Sequence, residues 1–120
     1  MKTFSVIIPF FQSSRVSNAV NSVLAQRHRD YEIIIADDSA SNGELLKIKL
    51  APEMFTEPRI KFIQNKENIG LTRSLNHSIR KSDGRYIVRL DDDDEMLPGR
   101  LQILESYFAK GYEFVGTNST

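Results

Sequence analysis

The sequence contains no cysteine. Disulfide scaffolds, zinc ribbons, iron–sulfur sites and thiol nucleophiles are thereby excluded, and a reducing compartment is the expected setting. It has no excess of charge of either sign: sixteen Lys and Arg face sixteen Asp and Glu. No global basic field advertises nucleic acid, and no nucleic-acid partner is expected. No apolar run approaches the roughly eighteen residues that a membrane span needs. The opening MKTFSVIIPFF sets one Lys before a short apolar stretch, as a signal peptide does. Pro9 interrupts that stretch and no small-residue cleavage pattern follows, so it reads as a buried first strand. There is no internal repeat, low-complexity tract or linker. At 120 residues, 40% of them hydrophobic, the chain is long enough for one core and is read as one domain.

Apolar runs alternate with helix-period segments along the chain. Phe4 to Phe10 and Tyr31 to Ala36 (YEIIIA) read as strands buried on both faces. Between them, Ser13 or Ser14 is the expected cap of a helix with Val16, Val20, Val23 and Leu24 on one face. Ser41 and Glu44 have capping-box spacing before Leu45, Leu46, Ile48 and Leu50, and Pro52 stops that helix. Ile60 to Gln64 reads as a third strand. Gly70 then opens a helix with Leu71, Leu75 and Ile79 at i, i+4 and i+8. Arg85 to Leu90 is a fourth strand, Pro98 suits the first turn of a helix carrying Leu101, Leu104 and Phe108, and Tyr112 to Gly116 is a fifth strand. This order predicts an α/β fold: a doubly wound, mostly parallel sheet with helices on both faces. Ligands of such sheets bind beyond the carboxyl ends of the strands. Those ends carry Phe10-Phe11-Gln12, Asp37-Asp38 and Asp91-Asp92-Asp93-Asp94-Glu95.

Five consecutive carboxylates need an explanation. Two bare carboxylates about 5 Å apart repel by roughly 1 kcal/mol in water and roughly 3 kcal/mol at an effective dielectric of 20. On an open edge this is a solvated turn whose charge favours the following helix N-terminus. In a cleft, a divalent cation or protonation must relieve it. While the chain stays extended, Asp91 and Asp93 point to one side and Asp92 and Asp94 to the other. An Asp-x-Asp pair at a strand end offers hard oxygen ligands to magnesium or manganese, with water and phosphates completing the shell. An EF-hand is excluded, since Met96 falls where the tight-turn glycine belongs. Asp37-Asp38 can bind a base or ribose, or can cap the next helix. Phe11 can stack on a nucleobase or join the core. His28 and His77 stand alone and read as surface or packing residues. No Ser-His-Asp order, HExxH, Walker loop or GxGxxG occurs, so a diphosphate bound here would rely on a metal.

Four segments in register resemble a known family: Ser5-Val6-Ile7-Ile8-Pro9, Glu32-Ile33-Ile34-Ile35-Ala36-Asp37-Asp38-Ser39, Asn68-Ile69-Gly70 with Asn76, and Asp91-x-Asp93-Asp94 with Pro98. They look like the inverting family 2 glycosyltransferases of the GT-A fold, in motif order and spacing, from about residue 4 to the end. The resemblance implies a nucleotide-diphosphate sugar donor, UDP-linked by preference, and Mn²⁺ or Mg²⁺. The implied donor-binding residues are Pro9, Phe11, Asp37, Asp38, Asn68, Gly70, Asp91 and Asp92, with Pro9 and Phe11 at the base and Asp38 at the base or ribose. Asp93, with Asp91, is the implied metal ligand. A glycan, lipid or protein supplies the attacking hydroxyl. The implied setting is the cytoplasm, with at most peripheral attachment at the inner face of a membrane.

Several positions depart from the family pattern. Phe11 stands where Tyr is usual and Gln12 where Asn is usual. Ser39-Ala40-Ser41-Asn42 replaces a Gly-Ser-x-Asp-like turn, Leu75 takes a common Arg position, and Asp92 replaces a small residue. Family domains are also longer. Residues 1–120 are therefore expected to be the nucleotide-sugar-binding part, cut before the acceptor region, with the general base beyond Thr120 and the fragment alone inactive. An open sheet edge left by such a cut can pair with a second copy, so a homodimer is expected. Two other readings stay open: a non-catalytic nucleotide-binding module, and a nucleotidyltransferase. A phosphoacceptor receiver domain is disfavoured, because strand one ends in Pro-Phe-Phe rather than an acidic pair.

Overall fold

The computed structural model describes residues 2–109. Four strands, β1 (Lys2–Phe10), β2 (Tyr31–Asp37), β3 (Ile60–Gln64) and β4 (Gly84–Arg89), alternate with four helices. These are α1 (Val16–Leu24), α2 (Glu44–Lys49), α3 (Leu71–Lys81) and α4 (Arg100–Ala109), with a short 3-10 turn at Pro52–Thr56. The strands form one parallel sheet in the order β3-β2-β1-β4. The expected doubly wound α/β architecture is what the chain adopts. The fifth strand expected over Tyr112–Gly116 lies outside the described residues.

Register divides the strands into two faces. Phe4, Val6 and Ile8 pair with Tyr31, Ile33 and Ile35, and since paired residues of a parallel sheet share a face, these form one apolar layer that Phe10 extends. Val16, Ala19, Val20 and Val23 of α1, Leu46 and Leu50 around α2, and Leu101 and Leu104 of α4 complete that core. Helix α3 packs against β1 and β2. It does so in a way that the apolar spacing does not predict. Leu71 and Ile79 are 46% and 44% exposed, while Ser74 and Ser78 are buried. Two small side chains one turn apart let the helix approach the sheet closely. Their hydroxyls are satisfied locally: Ser78 donates to the Ser74 carbonyl, and Ser74 accepts from Asn65.

The helix starts also differ from the expected caps. No side chain caps α1; Ser13 Oγ instead accepts the Arg15 amide one step earlier. At α2 the expected capping box does not form: Gly43 is the N-cap, Ser41 Oγ accepts the Leu45 amide rather than that of Glu44, and Glu44 pairs with Lys47 instead of reaching back. Pro98 lies before α4, outside its first turn.

The α3–β4 junction depends on a glycine. A Cβ on Gly84 would fall on the Ser5 amide and hydroxyl and on the Phe4 carbonyl carbon. That obstruction is largely backbone and cannot swing aside. Gly84→Ala is therefore expected to cost about 1–3 kcal/mol, the usual range for overpacking. Scanning calorimetry should find the melting temperature lowered by roughly 5–15 °C; an unchanged melting temperature would refute the close packing of this junction.

Candidate functional site

The strand order reverses direction at β1, with β2 and β3 built to one side and β4 to the other. The crevice above such a switch point is the ordinary ligand site of an open α/β sheet. Here it is a cavity of about 420 Å³, lined by Pro9, Phe10, Phe11, Asn68, Gly70, Leu71, Ser74, Asp91, Asp92 and Asp93. Seven of the nine site residues implied by the resemblance thus meet around one space: Pro9, Phe11, Asn68, Gly70, Asp91, Asp92 and Asp93. The Phe11 ring is 50% exposed and so belongs to the crevice, not to the core.

Asp37 and Asp38 do not line this cavity; Asp37 borders a separate depression with Gly43, Leu46 and Gln64. Asp38 is 7% exposed. Its Oδ1 accepts the Asn65 side-chain amide and the Ile69 N–H, both at 2.9 Å, and its Oδ2 accepts the Gly70 N–H at 3.0 Å. Asn68 in turn donates to the Asp38 carbonyl at 3.1 Å. The carboxylate therefore builds the 65–70 loop, which supplies Asn68 and Gly70 to the cavity. Gly70 occupies the left-handed region at φ 88, where other residues are strained. Asp37 closes the following turn, its Oδ1 accepting the amide and hydroxyl of Ser39 at 3.0 and 2.6 Å. Its Oδ2 is buried with no hydrogen-bonding partner among the described residues.

The acidic run does not stay extended. A turn closed by the Asp94 N–H donating to the Asp91 carbonyl at 3.1 Å replaces the alternation expected of a strand. It gathers Asp91, Asp93 and Asp94, each offering a carboxylate oxygen with all three within 4.8 Å of one another. Asp94, which alternation sends to the opposite side, joins the cluster because the chain bends between Asp91 and Asp94. Arg89 holds Asp91 Oδ1 through Nε and Nη2, both at 2.9 Å. Asp93 and Asp94 have no hydrogen-bond donor or cation on their carboxylates among the described residues. Asp92 turns the other way, accepting the Phe11 and Ser13 amides. Burial pushes the Asp92 carboxyl above the usual carboxylate range, with Asp93 adding to the rise and the two amides opposing it.

Three oxygens converging with this much unbalanced charge fit a hard divalent cation such as Mg²⁺ or Mn²⁺. The exit of the acidic segment is braced from α1. Ser22 Oγ accepts the Met96 amide at 2.7 Å, while Gln26 donates to the Leu97 carbonyl at 2.9 Å and accepts from the Leu101 amide. Sequence reasoning missed Gln26, Asn65 and Ser74, whose polar side chains carry no periodic signal of burial, and it read Leu71 as part of an apolar helix face whereas it lines the cavity.

Among the described residues, no helix is long and apolar enough to cross a membrane. The chain is 36% identical over 116 residues to EpsE of Bacillus subtilis, a protein named as a glycosyltransferase, covering 94% of this chain and 41% of that protein. It spans less than half the length of the curated relatives it matches. Among solved structures, TarS of S. aureus in complex with UDP-GlcNAc superposes with a TM-score of 0.76 at 20% identity, over 90% of this chain and 31% of TarS. The mannosyltransferase PcManGT of Pyrobaculum calidifontis, solved with GDP-Man and Mn²⁺, gives 0.66 at 17% identity, over 79% of this chain and 28% of that one. Both likenesses show that the fold is shared. The profile described as "Glycosyl transferase family 2" matches residues 5–119, a span holding all four strands' switch-point residues and the acidic turn, and the chain belongs to that family.

Proposed function

We propose that this chain forms the donor half of an inverting glycosyltransferase, which transfers a sugar from a nucleotide diphosphate to an acceptor hydroxyl. The observation that carries the reading is the convergence of the Asp91, Asp93 and Asp94 oxygens, two of these residues lining the same cavity as the half-exposed Phe11. An aromatic face suits a base, and a hard-cation site suits a diphosphate. Structural neighbours solved with UDP-GlcNAc and with GDP-Man and Mn²⁺ support the same ligand class.

In this mechanism Pro9 and Phe11 receive the base. Asn68 and Gly70 border the ribose, and Asp38 fixes the loop that carries them. Asp38 Oδ2 accepts one amide, and a carboxylate oxygen has room for a second donor from base or ribose. Asp37 supports the adjoining turn. Asp93 and Asp91 hold Mn²⁺ or Mg²⁺, with Asp94 within reach of the same point. When bound, the ion neutralises charge growing on the departing nucleoside diphosphate. Arg89 pins one oxygen of Asp91 and leaves the other for this task. The acceptor hydroxyl attacks from the face opposite the leaving group, which inverts the anomeric carbon. The chain matches less than half the length of its relatives, and the general base and the binding site for the acceptor, whether glycan, lipid or protein, are assigned to a part of the family domain outside the matched span. A cytoplasmic setting, where nucleotide sugars are made, fits this chemistry.

Calorimetric titration of UDP, GDP and dTDP into the chain, with and without Mn²⁺, tests the reading. One diphosphate is expected to bind with an affinity at least tenfold higher when Mn²⁺ is present. Binding of none of the three, with or without the ion, would refute the donor site.

A further inference from the structure

The acidic turn crosses the switch point and grips the loop between β1 and α1 at two places. Asp92 Oδ2 accepts the Phe11 N–H at 3.2 Å and the Ser13 N–H at 3.4 Å. Farther along, Arg15 donates to Glu95 at 3.4 Å, an exposed pair that adds little by itself. The gripped segment has no regular structure, and no side chain caps the helix that follows it. Both amides thus share one acceptor, and that acceptor lies in the turn that carries the acidic cluster. Phe11, which lines the cavity and is half exposed, is one of the two residues held.

We propose that Asp92 is a positioning residue: it latches the β1–α1 loop to the acidic turn and thereby sets the Phe11 ring over the donor pocket, touching neither the metal nor the diphosphate. The inference rests on the donor-site reading of that pocket. Two observations separate Asp92 from its neighbours. Its carboxylate is absent from the group of oxygens that converge at Asp91, Asp93 and Asp94. It faces two N–H donors of the β1–α1 loop. A latch needs only an acceptor oxygen, whereas a metal ligand needs the charge. Asparagine keeps the oxygen and loses the charge, so it divides the two roles.

The test compares the wild-type chain with Asp92→Asn and Asp92→Ala. Three quantities are measured for each: Mn²⁺ affinity alone, UDP affinity in the presence of Mn²⁺, and amide hydrogen exchange at Phe11 and Ser13. Asp92→Asn is expected to stay within twofold of wild type in all three. Asp92→Ala is expected to keep Mn²⁺ affinity within twofold, to bind UDP about five- to tenfold more weakly, and to exchange both amides about tenfold faster. Loss of Mn²⁺ affinity in both variants would overturn the proposal and make Asp92 a ligand. Unchanged exchange in Asp92→Ala, or faster exchange with unchanged UDP affinity, would overturn it as well. A wild-type chain that binds neither Mn²⁺ nor UDP refutes the donor-site reading instead, and the exchange rates alone then decide whether the latch exists.

Discussion

Asp93→Ala is expected to weaken Mn²⁺-dependent UDP binding about a hundredfold, equivalent to about 2.8 kcal/mol. Loss of a group that merely orients a metal ligand costs about 10- to 100-fold in affinity, so loss of a ligand belongs at the upper end. Asp93 is the exposed member of the cluster and, among the described residues, has no cation to balance it. Without metal the sign reverses. Asp93 then only repels an incoming diphosphate, so the variant should bind UDP no more weakly than wild type in a chelator. The pair of titrations therefore isolates the ion: an equal loss with and without Mn²⁺ would show that Asp93 supports the pocket rather than the metal.

The second large effect concerns stability. Glu32 is the second residue of β2 and only 3% exposed, yet it is held as a carboxylate by partners on both oxygens. Lys61 of β3 reaches its Oε1 at 2.6 Å, and Ser5 of β1 and the Asp83 amide meet its Oε2, each at 2.5 Å. Ser5 also accepts the Gly84 amide at 2.7 Å, so one carboxylate ties all four strands together. Glu32→Ala is expected to destabilise the chain by about 3 kcal/mol. This is the lower end of the range for breaking a buried pair, because Lys61 is half exposed and regains water.

The same group sets a pH dependence. Burial alone pushes the Glu32 carboxyl up, but the Lys61 ammonium, the Ser5 hydroxyl and the Asp83 amide together hold it below its ordinary value of 4.5. Its stabilisation is therefore complete above that ordinary value and is lost as the pH falls through the lower, folded one. Urea denaturation of wild type and Glu32→Gln should show a gap that is constant from pH 7 to about pH 5 and closes in stronger acid. A gap that persists undiminished to pH 2 would remove Glu32 from the acid response.

The architecture was legible because its cause is local. YEIIIA and SVIIPF are too uniformly apolar for a surface strand, and only a sheet covered on both faces buries them. Alternation with helix-period segments then dictates parallel strands, and parallel strands bring Phe11 and Asp91 to the same end of the sheet. Chemistry at that end was legible too, since five adjacent carboxylates carry a charge that needs an answer wherever they fold.

Side-chain direction was not legible. The acidic run bends, so a period of two ceases to apply and Asp94 leaves the side of Asp92 to join Asp91 and Asp93. Helix α3 buries Ser74 and Ser78 in place of its leucine and isoleucine stripe, since depth against a sheet depends on how closely two backbones approach. Glu32 looks like an interruption of an apolar strand until Lys61, Ser5 and Asp83 arrive from three other segments. Hydrophobic periodicity is a property of neighbours in the chain, and it carries the order of the elements. Which carboxylate meets a metal, an amide or an ammonium depends on partners 27 to 81 residues away, and their positions exist only once the sheet has assembled.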